Sequence, residues 1–350
     1  MREARQESTV ERIAPGLLVA LAIAAGASLA VIGMKSLPGW IGQLPLSAML
    51  LAVLAGLVLA HLASSRPQWA PGLDLARGPI LKFAVALIGL RLSLSDLARL
   101  GLDALPLVLV AVIFGLAITW LLVRLSGAHW RLSALLAVGT AICGASAIAA
   151  TAPALRARRE ETCYAVACIA LIGLTATLVY PPLLHAWIGD PERIGLILGA
   201  AIHDTAQVTA AASLYEQGWA GTGTLDAATV TKLLRNSLML IVIPGLIWVA
   251  RRQNDTGDAR VPFPLFIVGF IALCGVRSLG DLLFGVDNGY WNSLIHWAGQ
   301  LSVFAFAMAM AALALSIRFT DLRLLGWRPA AAAVVSALLV FIVVIQLGNL

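Results

Sequence analysis

Long apolar stretches recur along the whole 350-residue chain and restrict its fold to a membrane architecture. About 20 apolar residues are enough to cross the hydrocarbon layer as an α-helix. The composition agrees, since 60% of the residues are hydrophobic and only 12% are charged. A soluble enzyme, a nucleic-acid-binding protein and a disulfide-rich secreted domain are excluded, because none keeps so much apolar surface from water. We therefore predict an all-α, polytopic membrane protein.

Charges, Pro and Gly clusters and ten tryptophans mark the ends of the apolar stretches. Indole rings favour the lipid headgroup region, which explains their position there. No connecting loop is long enough for a soluble domain, so residues 1–350 are expected to form one transmembrane domain, with 1–12 as a cytoplasmic tail. About eleven membrane segments are predicted, at 13–33, 44–62, 78–92, 104–123, 132–155, 162–184, 194–217, 228–250, 262–279, 294–317 and 330–347.

Cysteine usage indicates neither a disulfide framework nor a metal site. The four cysteines lie in or beside apolar segments, without a CxxC pair or a histidine at ligand spacing. The chain has no GxxxxGK[ST] sequence, so direct coupling to ATP is not expected. We expect no catalytic residues, no metal and no cofactor other than a coupling H⁺ or Na⁺. The expected partners are the lipid bilayer and a small anion, not nucleic acid, and a homo-oligomer stays open.

Two segments carry small and polar residues at mid-membrane depth. The fifth reads LSALLAVGTAICGASAIAATAPAL and the seventh reads IGLILGAAIHDTAQVTAAASLYEQG. Unwound backbone is tolerated in a membrane only where protein or a cavity satisfies its polar groups. The pattern predicts a discontinuous helix at 132–155 and a second candidate at 194–217.

The distribution of Lys and Arg bears on how these two segments cross. If all eleven segments span with the N-terminus inside, 14 of these cations lie on the cytoplasmic side and nine lie outside. If the fifth and seventh segments re-enter as hairpins, Arg156, Arg158 and Arg159 move inside, Arg193 moves outside, and the distribution becomes 16 against seven. The positive-inside rule favours the hairpins modestly. Both arrangements place the N-terminus in the cytoplasm and the C-terminus outside.

Asp204 lies at the centre of an apolar run, unlike the other 17 acidic residues. An ionisable group at that depth usually serves an ion or substrate pathway. The alternative is a neutral or paired Asp204 that only joins two helices through hydrogen bonds. His203 beside it could titrate near neutral pH. We expect Asp204, with His203 and Thr205, to bind the coupling ion.

Three cations are candidate anion ligands. Lys232 and Arg235 are three residues apart and share a helix face, where they could bind an anion, pair with Asp204 or extend to the interface. Arg91 ends a short apolar core that begins after Lys82, and its guanidinium suits an oxyanion.

A helix that restarts after Gly144 supplies a further anion ligand. The free N–H groups of Ala145 and Ser146 would point into a cavity, with the positive end of the helix dipole behind them. Gln207 in the seventh segment is a further polar candidate for the substrate site. A glycine and serine pair in a membrane helix is also an ordinary packing motif, so the pattern is stronger in combination with the seventh segment.

The strings LIGLRLSL, CGASAIAATAP, GAAIHDTAQVTAA and TVTKLLRN resemble, in order and spacing, the YeiH-like family of bacterial inner-membrane proteins, which are proposed sulfate exporters. The resemblance covers roughly 40–347 and implies an inner-membrane location. The family is similar to the cation/proton antiporter and bile-acid-symporter-like transporters, which implies two inverted five-helix repeats and crossing discontinuous helices. The repeats would be 44–184 and 194–347, with 13–33 as an extra first span. The fifth and tenth segments would then be equivalent, although the tenth lacks helix-breaking residues.

These observations predict a secondary active transporter for a small anion, either sulfate or a related oxyanion or organic anion, coupled to H⁺ or Na⁺ through Asp204. A passive anion channel and a cation/proton antiporter without an anionic substrate are the alternatives. An intramembrane hydrolase or metal enzyme built on His203 and Asp204 is least favoured, because the other histidines lie at segment ends.

Overall fold

The computed structural model describes residues 9–35, 48–219, 221–251, 265–316 and 325–348, which are almost entirely helical and include no β-strand. The all-α prediction is confirmed. Most of the predicted tail, the basic loops at 252–260 and 318–324, and the starts of the second and ninth predicted segments lie outside these residues. The helices are α1 (Thr9–Lys35), α2 (Ala48–Ser64), α3 (Ala70–Leu75), α4 (Leu81–Ile88), α5 (Leu94–Leu125), α6 (Trp130–Ala141), α7 (Ala145–Thr151), α8 (Arg159–Trp187), α9 (Pro191–Ala201), α10 (Thr205–Trp219), α11 (Thr224–Ser237), α12 (Met239–Arg251), α13 (Leu265–Phe284), α14 (Gly289–Leu315) and α15 (Trp327–Gly348).

Several of these helices are long and apolar enough to cross a bilayer. By length and composition there are seven in the described chain, at Val10–Met34, Leu94–Leu125, Arg159–Trp187, Thr224–Trp248, Leu265–Phe284, Gly289–Leu315 and Trp327–Gly348. Leu51–Ser64 is a shorter apolar helix. The protein is therefore a multi-pass membrane protein.

The third predicted segment, 78–92, is part of a longer helical segment. This segment begins with a 3₁₀ turn at Pro67–Trp69 and continues through α3, a π-helical turn at Ala76–Ile80, α4 and a second 3₁₀ turn at Gly89–Arg91. Pro79 lies inside the π turn and has no N–H to donate, which favours a local change of hydrogen-bond register. The short core between the two cations is therefore part of a longer, irregular helical segment.

Both predicted interruptions are present. In the fifth segment α6 ends at Ala141 and α7 begins at Ala145, with Gly144 at φ 65° between them. In the seventh segment α9 ends at Ala201, and the extended backbone of Ile202 separates it from α10. The tenth segment forms the uninterrupted helix α14, so the second interruption belongs to the seventh segment.

Each interrupted segment returns to the face from which it starts. His129 at the start of α6 places Nδ1 3.7 Å from Oε1 of Glu161, which is in the first turn of α8. At the other face, the Oγ1 of Thr224 at the start of α11 donates to the carbonyl of Pro191, the first residue of α9, at 2.9 Å. The structure therefore has the re-entrant hairpins that the charge distribution favours, and not the crossing helices that the resemblance implies.

We define the face at which α5 ends and α6 begins as the first face, and the face at which α8 ends and α9 begins as the second face. Hairpin 1 consists of α6 and α7 and enters from the first face. Hairpin 2 consists of α9 and α10 and enters from the second face. The tips of the two hairpins meet inside the protein. The C-termini of α6 and α9 and the N-termini of α7 and α10 therefore lie about halfway between the two faces.

The helices pack into two groups. α1, α2, α3, α4, α13 and α14 pack mainly against one another, and we call this group the scaffold. The two hairpins pack with α5, α8, α11, α12 and α15, and we call this group the hairpin bundle. α10 is the main element of the bundle that contacts α2 and α14 of the scaffold. The two cavities described below lie in the groove between the two groups.

Candidate functional site

The hairpin tips touch at Gly144 and Asp204. The backbone of Gly144 has φ 65°, a left-handed conformation that favours glycine. A Cβ atom at this position would lie 3.2 Å from Oδ2 and 3.3 Å from Cβ of Asp204. Both the backbone conformation and the close approach therefore require a residue without a side chain where the two hairpins meet.

Helix α11 runs beside hairpin 2 because α9 presents two small residues to it. A Cβ at Gly195 would lie 2.5 Å from the carbonyl oxygen of Thr224, and one at Gly199 would lie 2.6 Å from that of Ala228. Small residues four apart allow such close backbone approach in membranes. This packing brings Lys232 and Arg235 of α11 level with the hairpin tips.

Lys232 is fully buried, and its ammonium group is saturated by backbone carbonyls. Nζ donates to the carbonyl oxygen of Ile142 in hairpin 1 at 2.8 Å. It also donates to Ile202 at 2.9 Å and to His203 at 2.5 Å in hairpin 2. An ammonium group has three donors, so none is left for an anion in this conformation.

Arg235 is also fully buried, and each of its three guanidinium nitrogens donates to a carbonyl. Nε donates to Ala141 at 2.8 Å and Nη2 donates to Thr140, both in hairpin 1. Nη1 donates to Ala200 at 2.7 Å and to Ile202 at 2.9 Å in hairpin 2. These carbonyls lie at the negative ends of the α6 and α9 dipoles, where a cation is stabilising.

In this conformation both cations are engaged by backbone carbonyls, and among the described residues neither forms an ion pair with Asp204. Their positions at the helix C-termini explain why. The unpaired carbonyls of two half-helices converge on α11, and buried carbonyls without a donor are costly. Lys232 and Arg235 satisfy these carbonyls.

Asp204 lies on the side of the hairpin tips that faces away from Lys232 and Arg235, and it is partly exposed. Its Oδ1 accepts a hydrogen bond from the backbone N–H of Ala206 at 2.9 Å, so the carboxylate caps the start of α10. Its side chain also lines a cavity of about 340 Å³ between the hairpin bundle and the scaffold, which we call the first-face cavity. Ala145 of hairpin 1 lines the same cavity, whereas Ser146 is exposed outside it.

Two arginines and a second carboxylate line the first-face cavity with Asp204. These are Arg66, Arg77 and Asp74 at the start of the third segment. Arg77 pairs with Asp74, with 2.6 Å between Nη2 and Oδ1. These residues were not predicted from the sequence, because they precede the apolar core and look like loop charges. The Gly-Pro pair that follows Arg77 was the available signal, since it marks the π turn on which Arg77 lies.

The other candidates of hairpin 2 face the interior of the bundle. His203 is buried, with Nδ1 3.1 Å from the carbonyl oxygen of Ala201 and Nε2 without a protein partner. The Oγ1 of Thr205 accepts a hydrogen bond from Nδ2 of Asn236 at 3.1 Å. Nε2 of Gln207 donates to the carbonyl of Ala170 at 2.9 Å. In this conformation these three side chains do not line the first-face cavity.

Arg91 lies at the second face, far from the tips. Its guanidinium is 3.4 Å from Glu216 at the end of α10 and 3.2 Å from Asp226 in the first turn of α11. Arg91 and Glu216 line a second-face cavity of about 780 Å³, together with Ser213. The helical stretch of α10 from Thr205 to Ser213 separates the two cavities by about 12 Å, at about 1.5 Å per residue.

Comparison with known proteins identifies the family. The family model described as conserved hypothetical protein 698 matches residues 15–333. The chain belongs to the UPF0324, or YeiH-like, family. A UPF0324 membrane protein of Pseudomonas aeruginosa is 31% identical over 343 residues, which cover 93% of this chain and 90% of the relative. One from Streptococcus pneumoniae is 34% identical over 277 residues, or 77% of this chain and 80% of the relative. No solved structure matches.

The UPF0324 match spans both hairpins, α11 and nearly all of the scaffold. A further relative, from Bordetella bronchiseptica, is 33% identical over 321 residues, or 87% of this chain and 94% of the relative, and is likewise named only as a UPF0324 membrane protein. Within the described residues of this UPF0324 chain, no group of three His, Cys, Asp or Glu side chains is placed to hold a metal ion.

Proposed function

We propose that this UPF0324 protein is a secondary transporter that moves a small anion across the bacterial inner membrane, with Asp204 as the coupling group. One observation carries the proposal. Two hairpins from opposite faces meet at a carboxylate that is reached from one face by a cavity and is separated from the other face by packed helix. Binding at mid-depth between discontinuous helices is typical of secondary transporters.

The charges in the first-face cavity support an anionic substrate. Arg66 and Arg77 balance Asp74 and Asp204 in formal charge. When Asp204 takes up a proton or another cation, the site gains one net positive charge, and the starts of α7 and α10 add backbone N–H groups. Anion binding and cation binding at Asp204 then favour each other, and this coupling is reciprocal. Sulfate, a related oxyanion or a small organic anion fits this chemistry.

Movement of the hairpin bundle against the scaffold would alternate access to the site. Both cavities lie in the groove between these two groups, one at each face. Scaffold helices α2 and α14 line both of them, while Asp204 at the tip of hairpin 2 lines the first and Ser213 of α10 lines the second. A rigid-body shift of the bundle that opens the groove beside Ser213 and closes it beside Asp204 would transfer the site from one face to the other. A passive channel would need both cavities to join in one conformation.

The directions of the helices support inverted repeats in a permuted order. Hairpin 1 and α8 enter from the first face, whereas hairpin 2 and α11 with α12 enter from the second. In the same way, the direction of α2 is opposite to that of α13, the direction of α3 and α4 is opposite to that of α14, and the direction of α5 is opposite to that of α15. We propose that 44–184 and 194–347 are the two repeats, but that the hairpin is the fourth element of the first repeat and the first element of the second.

The charge distribution supports a cytoplasmic first face. Ten arginines of the described chain lie at that face, namely Arg12, Arg66, Arg77, Arg124, Arg131, Arg156, Arg158, Arg159, Arg251 and Arg328. Four lie at the second face, namely Arg91, Arg99, Arg193 and Arg277. By the positive-inside rule, the N-terminus lies in the cytoplasm and the C-terminus outside.

A cation/proton antiporter is the second candidate. The observation that favours it is the pair of carboxylates, Asp74 and Asp204, in one cavity. The ion pair between Asp74 and Arg77 weakens this candidate, because it leaves Asp204 as the carboxylate that is free to exchange a cation.

Transport by the purified protein in liposomes distinguishes these functions. Labelled sulfate, a small sulfonate and a small carboxylate are offered under an imposed pH gradient, with Asp204→Asn as the comparison. Saturable uptake that requires wild-type Asp204 supports an anion transporter. Proton release on addition of Na⁺ or K⁺ without any anion supports the antiporter, and a unitary current across a planar bilayer supports the channel.

A further inference from the structure

Six carbonyl oxygens of the two hairpin tips converge on the two cations of α11. Lys232 and Arg235 each bind carbonyls from both hairpins, and both side chains are completely buried. The carbonyls belong to Thr140, Ala141, Ile142, Ala200, Ile202 and His203. In transporters with discontinuous helices, unwound carbonyls and half-helix C-terminal ends are the groups that coordinate a coupling Na⁺.

We propose that Lys232 and Arg235 are tethered cations that occupy the Na⁺-type positions of the hairpin tips, so that the coupling ion is H⁺ at Asp204 and transport does not use Na⁺. The inference rests on the proposed transport function. Both cations are part of the chain, so they cannot be exchanged during a transport cycle. They also join the two tips through α11, which makes the hairpins move as one body.

The oxygen atoms at the hairpin tips that Lys232 and Arg235 do not bind favour a proton over a metal ion as the coupling ion. Oδ1 of Asp204 already accepts the N–H of Ala206, and the backbone N–H of Gln207 also bonds to the carboxylate, so few of its acceptor positions are left for a metal ion. Oδ2 lies beside Gly144, whose Cα carries no ligand atom. A metal cation needs several oxygen ligands around it, whereas a proton needs one. The backbone oxygens that would complete a metal shell at the tips are bound to nitrogen.

Protonation of Asp204 occurs in the field of a defined set of groups. Lys232 from α11 acts on the carboxylate from the buried side, and Arg77 from the third segment acts from the cavity side. The other charged or titratable groups near it are Arg66 and Asp74 in the cavity wall, Cys163 from α8, Cys143 from the tip of hairpin 1, and the neighbouring His203. Each of these stays in place when Na⁺ is replaced by another monovalent cation, so Na⁺ substitution tests the metal site alone.

The first experiment measures the thermal unfolding of the purified wild-type protein in detergent, with NaCl, KCl or choline chloride at equal ionic strength. The expected result is the same Tm in all three salts. A rise in Tm that is specific to Na⁺ would overturn the inference, because it would show a Na⁺ site in the folded protein. This readout needs no knowledge of the substrate, so it tests the inference even if every anion fails in transport assays.

The second experiment compares Lys232→Met with Lys232→Arg in the same salts. Lys232→Met removes the tethered ammonium and leaves carbonyls of both tips without a donor. We expect its Tm in choline chloride to fall and NaCl to restore part of the loss, because the vacated oxygens can accept an ion. Lys232→Arg keeps a cation and is expected to show no response to Na⁺. A Lys232→Met protein as stable as wild type would contradict the inference.

Transport in liposomes completes the test and does not depend on a variant that folds poorly. Uptake of an anion that the wild-type protein carries should persist when choline replaces Na⁺ and should be abolished by a protonophore. Uptake that requires Na⁺ and resists the protonophore would overturn the inference while leaving the transporter intact. No uptake of any anion under either gradient would instead count against the proposed function.

Discussion

The buried side and the cavity side of the hairpin tips use ionisable residues in opposite ways. Lys232 and Arg235 are fully buried, and every one of their nitrogens donates to backbone. Asp204, which lies among the same tip residues, accepts backbone hydrogen bonds at the start of α10 and lines an open cavity. All three look like functional charges in the sequence. Their positions relative to helix ends and to the cavity distinguish them: the two cations bind the carbonyls of both tips, whereas Asp204 is the carboxylate that we propose exchanges an ion.

Replacing Asp204 tests the cavity side and should have the largest functional effect. Asparagine caps a helix about as well as aspartate, so Asp204→Asn should change the free energy of unfolding by no more than about 0.5 kcal/mol. It removes the exchangeable charge, so uptake driven by a pH gradient should be lost. Thermal unfolding and uptake as a function of pH are measured together. Uptake with the wild-type pH dependence would rule out Asp204 as the coupling group.

Replacing Arg235 tests the buried side and should have the largest effect on stability. Arg235→Met removes charge-assisted bonds to four carbonyls at a fully buried position, which should cost about 3 kcal/mol or more. Arg193→Met is the matched control, because Arg193 is exposed and its closest carboxylate, Asp190, is 3.7 Å away. The unfolding midpoints of the two variants are compared. Equal losses would show that Arg235 does not hold the tips.

Gly144→Ala tests the contact between the tips. The left-handed backbone costs about 1–2 kcal/mol for a residue with a Cβ, and the new methyl group would press on Asp204. Gly127→Ala is the control, since Gly127 has φ 90° and open space around it. Both variants should lose stability, but only Gly144→Ala should also lose transport. Loss of transport in both would point to a general effect of backbone strain.

Arg77→Gln tests the wall of the first-face cavity and should have the smallest effect. The side chain of Arg77 is 40% exposed and is paired with Asp74, so its contribution to anion affinity should be about 1 kcal/mol, or roughly fivefold. Arg99→Gln removes an exposed, paired arginine that lies outside the cavity and serves as the control. The half-saturating anion concentration is measured for both. An unchanged value for Arg77→Gln would place the anion elsewhere.

The sequence predicts much of the architecture because the relevant signals are local. Small and polar residues at mid-segment indicate both interruptions, and the basic cluster at 156–159 favours the return of hairpin 1 to its starting face. Asp204 is found because it alone interrupts an apolar run with a carboxylate.

The roles of the cations could not be predicted from the sequence. Whether Lys232 faces carbonyls or an anion depends on which helix ends lie beside α11, and that is set by long-range packing at Gly195 and Gly199. Arg77 precedes its apolar core and looks like a loop charge until the π turn directs it to the cavity. The equivalence of the fifth and tenth segments that the resemblance implies is not seen, since α14 is uninterrupted and the second interruption lies in the seventh segment.

Thiol labelling measures the difference between the two sides of the tips most directly. Three single-cysteine proteins are prepared, one with Asp204→Cys, one that keeps only Cys163 in the first-face cavity and one that keeps only Cys143 in the buried tip of hairpin 1. A membrane-impermeant reagent is applied to inside-out and right-side-out vesicles. We predict labelling of the first two proteins in inside-out vesicles, and no labelling of the third in either. Protection of Asp204→Cys in both orientations, or labelling of Cys143 as fast as Cys163, would contradict the account.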